Sequence, residues 1–187
     1  MKILYFYPEN PMLLTQGNNA RANTLLDYFK SKNIEVDFVG ENSKFFNVND
    51  SNKLKKEKNL NNVYLLNGLV RKKNKLKYLI LFSIPNKFSR LVRQFTRLRF
   101  GQKKEFENIL KNNSYHFIII SYAYWHNLIE NRTLLKNAKL IVDTHDFLTS
   151  QFQNSKRFSL GKYFETEINI LNKFDEILVI STEEKFV

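Results

Sequence analysis

The chain has 187 residues, 43% of them hydrophobic, enough for one well-buried domain and too few for two of ordinary size. It has no cysteine, which excludes disulfides and thiolate metal ligands and is compatible with a reducing cytoplasm. Thirty Lys or Arg against 18 Asp or Glu leave a formal charge of +12 and direct attention to anionic partners, while no apolar run approaches the ~18 residues of a membrane span and no secretory signal precedes the first strand.

In chain order, Ile3 to Tyr7 is an apolar, aromatic run that predicts a strand buried on both faces. A loop from Pro8 to Gly17 follows. Ala22, Leu25, Leu26 and Phe29 recur at helical spacing and predict a helix from about Ala20 to Lys30, with Lys30 and Lys32 at its negative end. Ile34, Val36 and Phe38 then alternate with Glu35 and Asp37 in a second strand that Gly40 ends. A strand, helix and strand of this length normally form a right-handed parallel crossover and begin an α/β sheet. Residues 41–62 are polar and rich in Asn and Lys, with Phe45 and Phe46 as the large apolar pair, and read as a mobile connection. Val63 to Leu66 predicts a third strand, closed by a turn at Asn67 and Gly68. A helix is expected over Glu105 to Asn113, a buried strand over Phe117 to Ile120, a short helix over Leu128 to Lys136 and a strand over Leu140 to Val142. The last pieces are a helix from Leu160 to Asn172 and a strand from Ile177 to Ile180. The fold class is α/β, a Rossmann-like, mostly parallel sheet flanked by helices, in one domain spanning residues 1–187.

The charge is local. Between Arg71 and Lys104 there are 12 Lys or Arg and no Asp or Glu, so the other 18 basic residues equal the 18 acidic ones. This basic insertion, 71–104, contains an apolar patch from Leu76 to Ile84, then Pro85 and Asn86, which suit a helix start. Within Phe88 to Phe100, Phe88, Leu91, Val92, Phe95 and Leu98 share one helical face, and Arg90, Arg93, Arg97 and Arg99 lie largely elsewhere. Three readings stay open. The stripe packs on the sheet with its arginines solvated, the segment docks on an anionic membrane surface through those arginines, or it binds nucleic acid, for which no recognised module surrounds it. At the other end, Ser181-Thr182-Glu183-Glu184 has the pattern of a capping box that starts a helix, and Val187 follows after about one turn. The expectation is that the chain is a piece of something longer or half of a two-chain enzyme.

Candidate chemistry lies in the loops at the carboxyl ends of the strands, where open α/β sheets place their ligand sites. Gly17 lets the backbone approach a ligand, and the amides of Asn18 to Ala20, with Asn19 among them and Arg21 next in sequence, suit a phosphate or sugar hydroxyl at a positive helix N-terminus; alternatively Gly17 shapes a turn and Asn18 or Asn19 caps the helix. The loop has neither a dinucleotide fingerprint nor a Walker A pattern. His145, between Asp143 and Asp146, can carry a proton or bind hydroxyls, or the stretch is an Asx-turn with an exposed histidine. Tyr122, Trp125 and His126 can stack on and contact a sugar or close the core. His116 falls at the opposite end of its strand and reads as structural. Three scattered histidines predict no metal site.

The order of "MKILYFYP", the Gly17 loop, "LLDYFKSKNIEVDFVG", "LIVDTHDFLTSQF" and "KFDEILVISTEEK" resembles the N-terminal, acceptor-side domain of retaining GT-B glycosyltransferases. That family includes phosphatidylinositol mannosyltransferases and enzymes of capsule and lipopolysaccharide synthesis. The resemblance covers Met1 to Gly40 and Phe117 to Val187. It implies two Rossmann-like domains facing a cleft, a nucleotide-sugar donor held by a second domain, a glycan or lipid-linked acceptor on this one, and retaining transfer without a metal or other cofactor. Gly17 matches the family's glycine-rich loop, flanked here by Gln16 and Asn18, and His145 matches its cleft histidine as the candidate catalytic residue. The leaving diphosphate would be stabilised by amides and basic side chains. A cytoplasmic enzyme, peripheral on the inner face of the plasma membrane and without nucleic-acid partners, is implied. This chain alone would be inactive, or would be a non-catalytic acceptor-binding or anchoring subunit.

Overall fold

The computed structural model describes residues 1–68, 75–84, 95–155 and 158–180. Six strands, β1 (Lys2–Phe6), β2 (Glu35–Glu41), β3 (Asn62–Leu66), β4 (Phe117–Ser121), β5 (Lys139–Asp143) and β6 (Glu176–Leu178), form one sheet in the order β3-β2-β1-β4-β5-β6. Every neighbouring pair is parallel. This is the doubly wound Rossmann-like order, in which successive crossovers proceed in opposite directions from β1 and leave a crevice between the carboxyl ends of β1 and β4.

The alternation within each strand divides the core into two layers. Ile3, Tyr5 and Tyr7, Val36 and Phe38, and Ile119 and Ile141 pack with Ala22, Leu26 and Phe29 of α1 (Gly17–Ser31) and Leu54 of α2 (Val48–Lys58). On the other face Leu4, Phe6, Ile118, Ile120, Leu140 and Val142 pack against the later helices. In α4 (Gln102–Asn112) and α5 (Leu160–Leu171), Phe106 and Ile109, and Tyr163 and Ile170, supply the facing side chains. Ser121 and Asp143 continue the first layer's alternation to the strand ends, which aims them at α1.

The polar connection expected over residues 41–62 instead contains α2. Asn47 caps it by accepting from the Asn49 and Asp50 amides, and Asp50 accepts in return from the Asn47 amide. Burial of Phe46 and Leu54 holds the helix, and Asn59 closes it at φ 53°. Gly40 does not end β2 but pairs with Leu65 within it. A Cβ at Gly40 would lie 2.3 Å from the fully buried Phe46 ring, itself 5.9 Å edge-on to Phe38. Gly40→Ala should therefore cost about 1–3 kcal/mol through overpacking. A lowered urea midpoint is the expected readout, and an unchanged one would refute this account of the glycine.

The helix expected over Leu128 to Lys136 is replaced by two 3₁₀ segments, Ala123–Ile129 and Arg132–Leu135. Tyr124, Trp125, Leu128 and Ile129 are all buried, a demand that a one-sided α-helix does not meet. In the basic segment, α3 (Lys75–Tyr78) runs into a π turn over Leu79–Ser83. Leu76, Leu79, Ile80, Leu81 and Ile84 are exposed there.

The helix expected over Phe88 to Phe100 is not formed in its described part, Phe95 to Phe100. Phe95 is fully buried against Phe152 and Tyr163, and the Arg97 amide bonds the Tyr124 carbonyl. The amides of Leu98 and Arg99 bond the Thr96 hydroxyl and the Gln102 side chain, so local partners replace the helical ladder. Arg97 lies 4.4 Å from the Tyr124 ring centroid, and Arg99 Nε lies 3.2 Å from Glu41 Oε1. Arg90 and Arg93, and the capping box at Ser181, lie outside the described residues.

Candidate functional site

The crevice between β1 and β4 is built from three loop ends. After β1, Tyr7 continues the first core layer, and its hydroxyl donates to Asn19 Oδ1 at 2.5 Å. Asn19 in turn donates to the Leu13 carbonyl at 2.5 Å, tying the loop to the first turn of α1. Gln16 is the N-cap of α1 but provides no side-chain cap, and the first turn has no acidic residue. The first amides of a helix lack intrahelical acceptors, so this terminus presents donors and the positive end of the dipole.

Gly17 is exposed, and a Cβ there would meet nothing within 4 Å. Its glycine identity is therefore not required by the protein's own packing. Asn18 is half-buried, and the Asn18 and Tyr7 side chains partly offset the rise that burial gives the Tyr122 pKa.

The second loop end is Tyr122, directly after β4. Its φ of 67° and ψ of 124° are strained for an aromatic residue, a cost of order 1–3 kcal/mol. The ring stacks on His145 at 4.3 Å between centroids and lies 6.0 Å from Tyr7. Burial raises the pKa of both tyrosines, so both hydroxyls remain protonated donors.

The third loop end carries Asp143 and His145. Asp143, fully buried, receives Arg21 through Nη2 at 2.6 Å and Nε at 3.1 Å. His145 Nε2 lies 3.2 Å from Asp143 Oδ2, an electrostatic contact whose angle falls outside that of a formed hydrogen bond. Burial alone would raise the Asp143 pKa. His145 and Arg21 outweigh it and hold the carboxyl below its ordinary range.

His145 is not the exposed histidine of the Asx-turn alternative. Its side chain is fully buried beneath Tyr122, and Nδ1 has no hydrogen-bond partner among the described residues. Asp146 is exposed beside it. The crevice thus brings together Asn18, Asn19, Arg21, Tyr122 and His145.

Trp125 and His126 are not in it. Trp125 packs on Phe6 at 4.9 Å between centroids, and His126 is buried with Nδ1 3.0 Å from the Ala123 carbonyl. They close the core instead of stacking on a ligand. His116 is structural, as expected, its Nδ1 accepting from the Lys2 amide. Tyr7 escaped the sequence reading because it counted as one more apolar strand residue. The signal was its place as the third member, with Ile3 and Tyr5, of a face that ends at the crevice. Among the described residues no group of three or more His, Asp or Glu side chains is arranged to hold a metal.

Burial lowers the His126 pKa from 6.5 to about 4; Lys173 adds to the shift, and the Ala123 carbonyl and Glu130 oppose it. The unfolded chain therefore takes up a proton first. The contribution of the neutral ring is complete above pH 6.5 and is lost as the pH falls towards 4, a span of about 3 kcal/mol. Urea midpoints at pH 7 and pH 4 should draw closer together in His126→Gln than in the unsubstituted protein. Equal pH slopes in the two proteins would refute this.

Comparison of the sequence with protein-family models and with curated proteins returned no match.

Proposed function

We propose that this chain is the acceptor-side domain of a glycosyltransferase that moves a sugar from a nucleotide-sugar to a glycan or lipid-linked acceptor in surface-polysaccharide assembly. The observation that carries the reading is the crevice at the reversal of strand order, where the uncapped α1 terminus lies one turn from the Arg21–Asp143–His145 chain. Helix amides suit a diphosphate, and Tyr122 and Asn18 at the mouth suit sugar hydroxyls. Arg21, whose charge is shared with Asp143, orients the imidazole and adds positive potential. With His145 beneath Tyr122, ligand contact with the imidazole requires the tyrosine to move. The burial of His145 also favours a second reading, a non-catalytic acceptor-binding or anchoring subunit that recruits a donor-binding chain.

The deciding experiment deletes the gene in its source cell and measures surface-glycan composition by mass spectrometry, with complementation by the natural sequence and by His145→Ala. Altered glycans restored only by the natural sequence support catalysis. Restoration by both supports the subunit, and unchanged glycans on deletion reject both readings.

An anionic membrane is the partner proposed for the basic segment. Among the described residues no helix is long and apolar enough to cross a membrane. The exposed Leu76, Leu79 and Ile80 beside Lys75 and Lys77 fit a surface that lies in the lipid interface. Leu76→Asn with Ile80→Asn should weaken co-sedimentation with phosphatidylglycerol-containing vesicles by about tenfold or more, since burying each side chain is worth roughly 1.5–3 kcal/mol. Undiminished co-sedimentation would remove the membrane from the proposal.

A further inference from the structure

Beside the crevice, with Gln16 and Asn19 in its lining, a cavity of about 370 Å³ opens between the β1 loop and the chain leaving β2. The ionisable side chains in its lining are two carboxylates, Glu9 and Glu41, although the chain as a whole carries +12. The remaining polar lining is neutral. It includes the amides of Asn10 and Gln16, each able to donate and accept, and the Ser43 hydroxyl. Phe45, 62% exposed, stands in the wall as an apolar platform.

Glu41 is already engaged by Arg99 at 3.2 Å and by the Gln102 amide at 2.9 Å, so the carboxylates do not form a free pair for a cation. Asn10, 3% exposed, accepts from the Met12 amide and donates to the Phe45 carbonyl, which joins the two walls before any ligand arrives. Carboxylate and amide acceptors, amide donors and one exposed ring match the alternating hydroxyl edge and C–H face of a pyranose. The volume is at the small end of the ~300–1,000 Å³ range of small-ligand sites. An anionic sugar would meet Glu9, and the cations beside the lining are already committed, Arg99 to Glu41 at 3.2 Å and Lys44 to the Phe45 ring at 4.5 Å from its centroid.

We propose that this cavity binds an uncharged, polyhydroxylated ligand, a neutral sugar unit. Its assignment as the acceptor pocket rests on the transfer reading above; the binding itself does not.

The test is saturation-transfer NMR on the full chain with methyl glucoside, methyl galactoside, methyl mannoside and N-acetylglucosamine as neutral probes and glucuronate as the charged one. At least one neutral probe should receive saturation, and glucuronate should bind about tenfold more weakly, the scale set by one charge-assisted hydrogen bond giving way to like-charge repulsion. Glu9→Gln should narrow that gap, and Phe45→Ala should abolish transfer to the neutral probe. Both side chains are exposed, so neither substitution threatens the fold. Absence of transfer to every neutral probe, glucuronate binding as tightly as they do, or transfer unaffected by Phe45→Ala would overturn the proposal. Sugar binding that meets these criteria in a protein whose deletion leaves surface glycans unchanged keeps the pocket and removes its acceptor role. Altered glycans with no sugar binding keep the transfer reading and remove the pocket.

Discussion

Asp37→Ala should lower the unfolding free energy by about 3–5 kcal/mol, the range for breaking a buried ion pair on one side. Asp37 is fully buried in β2, at the amino end of the sheet and away from the crevice. One carboxyl oxygen accepts from Asn61 at 3.2 Å and Asn62 at 2.9 Å; the other accepts from the Tyr115 hydroxyl at 2.8 Å and pairs with Lys2 at 3.0 Å. Alanine removes the acceptor of four donors at once and leaves the buried Tyr115 hydroxyl unpaired. The Lys2 ammonium, also hydrogen-bonded to Asn113 and 5.0 Å from the Tyr115 ring centroid, loses its countercharge. An asparagine side chain at this position would retain one carbonyl acceptor, so Asp37→Asn should fall between alanine and the natural residue. Urea unfolding at neutral pH measures both. A loss below about 1 kcal/mol for alanine, the worth of an exposed pair, would show that the network does not hold the sheet.

That network also shows where the sequence was legible. The strands were readable because both faces of a central parallel sheet demand apolar residues, so Ile3 to Phe6, Phe117 to Ile120 and Leu140 to Val142 stand out from their neighbours. Asp37 was read as the polar member of an alternation, but β2 is covered on both faces and the carboxylate is inside. The spacing of α1 was readable from Ala22, Leu26 and Phe29. Helix α2 was not, because two anchors, Phe46 and Leu54, and a cap of Asn47 and Asp50 hold it in a run otherwise composed like a linker.

The site divides in the same way. Placing Arg21, Tyr122 and His145 at strand ends followed from counting elements. Their union did not, because the Arg21–Asp143 contact spans 122 residues of chain and depends on α1 lying over the carboxyl ends of β4 and β5. Trp125 misled for a related reason. Its distance from the strand end suggested a loop aromatic, but the turn at Tyr122 folds the next residues back into the core.

Arg21→Met should cost about 3 kcal/mol at neutral pH, because it leaves the Asp143 carboxylate buried without its guanidinium. Methionine retains the aliphatic stem that packs beside the strand ends, so the change isolates the charge. In the natural protein the folded-state pKa of Asp143 is depressed. Its stabilising contribution is therefore present above the unfolded value of about 3.9 and is lost as the pH falls through the lower, folded one. Without Arg21, burial opposes ionisation against His145 alone, and the folded pKa moves upward. If it passes the unfolded value, the sign of the contribution reverses: the variant is penalised above the new pKa and relieved below it. The deficit of Arg21→Met should thus be widest near pH 7 and shrink towards pH 4, where a protonated Asp143 no longer needs a cation. The groups that face Asp143 besides Arg21 are His145 and the Tyr5 hydroxyl. Urea midpoints of the two proteins at pH 7, 5.5 and 4 provide the check. A deficit independent of pH would mean that Arg21 acts through packing, and the electrostatic chain from α1 to His145 would lose its role in orienting the imidazole.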